Sequence, residues 1–212
     1  MKGKFSWDLF HELPVIGILR GFQAATVERL VDAALRGGLK NIEVTMNSED
    51  APGLLQLIQK RSGSAMNVGA GTVCTLEDME AALGAGAEFV VTPVLIPDVI
   101  SGCRKRQIPV ISGAFTPTEI YRAWELGADL VKIFPADQLG PAYIKNVKAP
   151  FPQVRLVPTG GVTVETLPEY KRAGADGYGV GSPLFAKARV EEGDWRWVEE
   201  QAGRFVEAFR RS

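Results

Sequence analysis

A repeat restricts the fold of this chain more than any other feature. Three peptides, Leu83-Gly-Ala-Gly-Ala-Glu-Phe-Val-Val-Thr-Pro93, Leu126-Gly-Ala-Asp-Leu-Val-Lys-Ile-Phe-Pro135 and Ala173-Gly-Ala-Asp-Gly-Tyr-Gly-Val-Gly-Ser182, each run from the end of a helical segment through Gly-Ala into an apolar run. A glycine just past a helix adopts the left-handed C′ conformation without a β-carbon penalty, so the repeat ends a helix and launches a strand. The same unit recurs in looser spelling. Candidate strands fall at 15–19, 41–45, 67–71, 89–92, 109–112, 130–134, 154–158 and 177–181. The segments 26–36, 50–60, 75–83, 97–106, 116–126, 141–148 and 164–172 between them carry apolar residues three and four apart, and a last helix covers 195–209. Buried strands alternating with helices imply right-handed crossovers and a parallel sheet. Eight such units in 212 residues predict an α/β fold, a compact (β/α)8 TIM barrel. A doubly wound open sheet is the alternative, and the Gly-x-Gly-x-x-Gly turn that would support it after the first strand is missing. Residues 5–12 read as a short amphipathic helix with Phe5, Leu9 and Leu13 on one side, so residues 1–13 form a helical cap on one barrel domain spanning 1–212.

Bulk properties exclude several classes of partner. An apolar content of 46% with 23% charged residues fits one sizeable domain with an ordinary core. The net charge of −1, with both signs dispersed, gives no footprint for nucleic acid or a membrane surface, which leaves small molecules as partners. Cys74 and Cys103 lie at or within helical stretches and lack the spacing of a metal site or a disulfide framework, and His11 is the only histidine. No metal or cofactor is expected. The N-terminus lacks the apolar core of a signal peptide, and no apolar run reaches the roughly 18 residues of a membrane span, so the expected compartment is the cytoplasm.

Two residues sit oddly in apolar strands. Lys132 is central in Asp129-Leu-Val-Lys-Ile-Phe-Pro135, and Glu43 is central in Asn41-Ile-Glu-Val-Thr45. A buried lysine is either desolvated into a nucleophilic amine able to attack a carbonyl, or it reaches back to solvent or a carboxylate. A buried glutamate is either its ion-pair partner or a proton shuttle with a raised pKa. In a barrel the strand ends converge on the carboxyl face, which gathers Arg20, Glu43, Thr45, Asn47, Thr72, Pro93, Ser112, Gly113, Lys132, Phe134 and Thr159 at one mouth. Gly160-Gly161 and Gly181-Ser182 place unhindered N–H groups at the ends of strands seven and eight, where this architecture often holds phosphate; the plainer reading is that these glycines only permit tight turns.

These residues resemble a known family over nearly the whole chain, the class I 2-keto-3-deoxy-6-phosphogluconate (KDPG) and 4-hydroxy-2-oxoglutarate (KHG) aldolases. The matching motifs are Pro14-Val-Ile-Gly-Ile-Leu-Arg-Gly21, Gly38-Leu-Lys-Asn-Ile-Glu-Val-Thr45, Val68-Gly-Ala-Gly-Thr-Val73, Val91-Thr-Pro93, Val131-Lys-Ile-Phe-Pro-Ala136 and Pro158-Thr-Gly-Gly-Val162. The resemblance implies a metal-free barrel, assembled as a homotrimer, that cleaves KDPG or its galactonate epimer to pyruvate and glyceraldehyde 3-phosphate, with KHG cleavage as a further activity. By it, Lys132 forms the imine with the keto acid and Glu43 is the general acid/base. Thr72 holds the pyruvate carboxylate, Pro93 and Phe134 wall the imine, and Gly160, Gly161 and Ser182 lie at the phosphate end.

One departure shifts a role. Many members carry an arginine four residues after the glutamate, and here that residue is Asn47, whose amide cannot give a charge-assisted bidentate contact. Arg20 is the expected replacement as carboxylate ligand. Asn47-Ser48 resembles members acting on the galactonate epimer, whereas Thr159 resembles the gluconate type. The rival readings are a phosphate-binding isomerase or synthase without a covalent adduct, and a catalytically silent sugar-phosphate binder. The silent binder would keep two ionisable groups in apolar strands at a cost on the order of several kcal/mol per ion for no purpose.

Overall fold

The structure, a computed structural model, describes residues 4–212. Eight parallel strands alternate with helices: β1 Val15–Leu19, β2 Asn41–Thr45, β3 Asn67–Gly71, β4 Phe89–Val91, β5 Val110–Ala114, β6 Leu130–Ile133, β7 Leu156–Pro158 and β8 Tyr178–Val180. Each pairs with its neighbours in chain order and β1 pairs with β8, while β7 and β8 meet at the single bridge Thr159 to Gly179, so the barrel is nearly closed. The reversal of strand order that defines a doubly wound sheet does not occur.

The helices are α1 Trp7–Glu12, α2 Ala24–Arg36, α3 Ala51–Ser62, α4 Leu76–Gly84, α5 Pro97–Lys105, α6 Pro117–Glu125, α7 Gly140–Lys148, α8 Leu167–Arg172, α9 Lys187–Glu191 and α10 Trp195–Arg211. Their starts follow local chemistry. Thr75 and Thr116 open α4 and α6 with capping boxes closed by Asp78 and Glu119, which satisfy N–H groups that the first turn leaves unpaired. The sequence signals missed α9, a five-residue helix with Val190 as its one buried residue, because so short a segment carries no apolar period.

The repeated Gly-Ala-acidic unit has a second purpose beyond ending helices. Gly86, Gly127 and Gly174 adopt φ of 100°, 90° and 93°, as the helix-end reading requires. The next acidic residue then clamps the preceding strand. Asp129 donates its N–H to the Val110 carbonyl and accepts the Val110 N–H on its carboxylate, both at 2.9 Å. Asp176 does the same with Leu156, both bonds 2.8 Å, and Glu88 with Val68 at 2.8 and 2.9 Å. Each clamp satisfies an N–H at the amino end of a strand, the first of β5 and of β7 and the second of β3.

That end is plugged. Phe5 and Phe10 pack with Ile16, Phe89, Val91, Ile111, Leu130 and Val157 in a cluster inside the barrel, and Gly69 admits the Phe89 ring where a β-carbon would come within 2.5 Å. The buried cap residue is Phe10 rather than Leu9, which is only half-buried; Leu13 is buried as expected. Asn67 fastens the cap by accepting the Ser6 N–H at 2.7 Å and donating to the Ser6 carbonyl and to Asn41 Oδ1, both at 2.8 Å. Asn41 in turn donates to the Leu13 carbonyl at 2.7 Å. Helix α10 closes the chain against α2 and α8, and no helix among the described residues is long and apolar enough to cross a membrane.

Candidate active site

The carboxyl mouth is assembled from strand ends and the residues just beyond them. Lys132 on β6 and Glu43 on β2 both point inward, 5% and 2% exposed. No hydrogen bond or ion pair joins them, and neither head group bonds to another protein group among the described residues. They do bias each other's charge. Burial pushes the Glu43 carboxyl above the ordinary range, against the lowering effects of Lys132 and Arg20. Burial likewise pulls the Lys132 ammonium down, with Glu43 opposing and Arg20 reinforcing. The site therefore holds an amine closer to its neutral, nucleophilic form and a carboxyl closer to its protonated form. Gly71 leaves the space that the Glu43 carboxylate occupies, since a β-carbon there would collide with it.

Around this pair the strand ends place apolar and polar walls. The Phe134 ring, 41% exposed, lies 5.0 Å from Lys132 Nζ. Pro93 follows β4 and presses against β5 where Gly113 leaves the space; any side chain at 113 would overlap the Pro93 carbonyl. On the far side Arg20 Nη2 donates to Thr72 Oγ1 at 3.3 Å. Thr72 holds φ at 55°, a left-handed conformation that costs a non-glycine residue roughly 1–3 kcal/mol and recurs at functional sites.

A cleft of about 840 Å³ adjoins the pair through Phe134 and Arg20, which line it, although Lys132 and Glu43 themselves do not. Arg20, Phe134, Thr159, Gly160, Gly181 and Ser182 line it, together with Phe22, Gln23, Lys187 and Glu191. Gly160 and Gly161 take φ of 91° and 73°, so the tight-turn reading of this pair has a basis; yet their N–H groups and that of Ser182 donate to no protein group among the described residues. Gly161 sits behind Gly160, against Asp137, outside the cleft lining.

Glu43, Thr72, Pro93, Gly113 and Lys132 do not line the cleft, and neither do Thr45, Asn47 and Ser112. Thr45 is wholly buried and its hydroxyl is 2.9 Å from that of Ser48. Asn47 is exposed in the turn after β2 and does not line the cleft. Ser112 corrects the mouth as read from strand ends: Ile111 joins the inner cluster while Val110 and Ala114 face the helices, so Ser112 also faces outward, its hydroxyl buried without a partner. The period of two along a strand forces this once β5 is seen to run from Val110 to Ala114. Cys74 precedes the α4 cap and is exposed, whereas Cys103 is buried in α5 with its thiol pushed up to about 12.

The family model "KDPG and KHG aldolase" matches residues 8–201. The chain belongs to the KDPG and KHG aldolase family. Within this aldolase family it is 34% identical over 200 residues to the 2-dehydro-3-deoxy-6-phosphogalactonate aldolase of Escherichia coli K12, covering 94% of this chain and 96% of that protein. Among solved structures, one described as native KDPGal superposes with a TM-score of 0.87 at 33% identity, covering 99% of this chain and 98% of the other. The KDPG aldolase of Legionella pneumophila, with pyruvate captured as a covalent carbinolamine, gives a TM-score of 0.82 at 26% identity over 92% of this chain and 95% of that one.

Proposed function

We propose that this chain is a class I aldolase that cleaves a phosphorylated 2-keto-3-deoxy sugar acid, 2-keto-3-deoxy-6-phosphogluconate or its galactonate epimer, to pyruvate and glyceraldehyde 3-phosphate. The observation that carries the reading is the buried, unpaired amine of Lys132 beside a buried, unpaired carboxyl of Glu43. The Lys132 amine adds to the C2 carbonyl to give a carbinolamine, and loss of water gives a protonated imine. Glu43 supplies a proton to the departing hydroxyl through an intervening water. The resulting carboxylate then takes the proton of the C4 hydroxyl. As the C3–C4 bond breaks, its electron pair moves into the imine, the aldehyde leaves, and an enamine remains where a free carbanion would be prohibitively basic. Protonation at C3 and hydrolysis release pyruvate and return the amine.

Arg20 and Thr72 hold the keto acid carboxylate, and their 3.3 Å contact supports a shared ligand there. Phe134 and Pro93 flank the imine. The free N–H groups of Gly160 and Ser182, with Gly181 and the Thr159 hydroxyl nearby, take the phosphate end. The same reading makes the protein a cytoplasmic homotrimer; the exposed Leu76, Val94 and Phe115, which follow β3, β4 and β5 in turn, supply an apolar arc for subunit contact. Pyruvate-coupled turnover on both C4 epimers tests the assignment. The wild type cleaves one or both, and Lys132→Ala loses rate on the order of a thousand-fold or more. Full activity in Lys132→Ala would point instead to chemistry without a covalent adduct.

A further inference from the structure

Ser48 lies in the turn after β2 and is 9% exposed. Its N–H donates to the Thr45 carbonyl at 2.9 Å, and its hydroxyl shares a 2.9 Å hydrogen bond with the Thr45 hydroxyl. The same Ser48 oxygen accepts the Gly21 N–H at 3.0 Å. Among the described residues the backbone of 20–22 makes no other hydrogen bond. Gly21 has φ of 71°, so the chain swings away from the barrel immediately after Arg20. The β1–β2 ladder ends at Leu19 and Val44, one residue short of Arg20. Beyond it, Ser48 is the tether that sets where the Arg20 backbone leaves the barrel, and so where the guanidinium meets Thr72.

We propose that Ser48, oriented by Thr45, is a positioning residue for Arg20 and thereby for binding of the keto acid carboxylate; this rests on the carboxylate role of Arg20 given above. It also gives a role to Thr45, whose buried hydroxyl lies 2.9 Å from that of Ser48. A long side chain at an exposed strand end has many rotamers, and fixing its backbone lowers the entropy lost when it grips a ligand. Neither hydroxyl touches the reacting atoms, so the effect belongs to binding of the pyruvate half alone.

The test is borohydride trapping of the pyruvate imine in the full-length protein, with glyceraldehyde 3-phosphate half-saturation measured separately in the condensation direction. Ser48→Ala raises the pyruvate concentration for half-maximal trapping roughly two- to ten-fold, the range for one lost hydrogen bond. Its trapping rate at saturation stays within about twofold of wild type, and the aldehyde half-saturation does not move. Thr45→Val, which keeps the shape and loses the hydroxyl, shifts pyruvate in the same direction and carries the comparison should Ser48→Ala fail to fold. The double variant with Arg20→Ala matches Arg20→Ala alone, because both act through one group. Wild-type pyruvate binding in the Ser48→Ala and Thr45→Val variants, with Arg20→Ala impaired, overturns the positioning role. So do additive effects, or an equal loss on pyruvate and aldehyde. An Arg20→Ala variant that binds pyruvate like wild type overturns instead the carboxylate role of Arg20.

Discussion

At the residue scale the protonation of Lys132 is set by opposing neighbours. Burial lowers its pKa most, Glu43 raises it and Arg20 lowers it. Removing the Glu43 charge with Glu43→Gln therefore lowers the Lys132 pKa further, and the rising limb of imine formation with pH moves to more acid values. Arg20→Gln does the reverse and moves the limb to higher pH. Trapping rates across a pH series read both shifts, and movement of the two variants in the same direction would contradict the electrostatic assignment. The same amine also affects stability. Its folded pKa lies below the ordinary 10.5, so between those two values the unfolded chain binds more protons and wild-type stability rises with pH. Lys132→Met consequently gains most in thermal stability below the folded pKa, and its gain fades as pH approaches 10.5. The lysine and the glutamate were legible in the sequence because charge in an apolar strand is rare. Ser48 was not, because a serine after a strand reads as an ordinary turn residue and its hydroxyl meets Gly21, 27 residues away in the chain.

At the element scale the strands meet with glycine where another element comes close. Gly113 pairs with Lys132 across the β5–β6 ladder and lies against the backbone of Pro93. Gly113→Ala is expected to destabilise the protein by about 1–3 kcal/mol, read as a lower Tm, and to lower imine trapping because Pro93 and β6 must shift. The acidic clamps give an independent test. Asp129→Ala leaves the Val110 N–H unpaired at the head of β5 and should cost about 1–3 kcal/mol without altering the pyruvate requirement. The helix-ending glycines of the repeat were visible in sequence, but the clamps were not, since they join residues about 20 apart through a side chain that reads as a solvated acid. Strand ends slipped for a related reason. Gly113-Ala114 has the spelling of a turn and yet continues β5, because β6 offers it ladder partners at Lys132 and Ile133.

At the scale of the whole molecule, one end of the barrel is closed by packing and the other is left open for chemistry. Phe10 is 2% exposed within the plug, and Phe10→Ala should cost about 3–5 kcal/mol in a urea titration while leaving the mouth chemistry intact in the folded fraction. The barrel itself was legible because its eight units repeat one local grammar. Its plug was only partly so: a six-residue helix has too few turns to fix which face is buried, and its anchors Asn41 and Asn67 look like strand-edge polar residues until the barrel brings them together. The two ends converge on a single claim, that the fold desolvates Lys132 so that it reacts as an amine with a keto acid. Borohydride reduction in the presence of pyruvate, followed by peptide mass mapping, tests this most directly. One stable pyruvate-derived adduct is expected, on Lys132, absent without pyruvate. Cleavage of the sugar acid with no adduct, or with the adduct on another lysine, would contradict the role of Lys132.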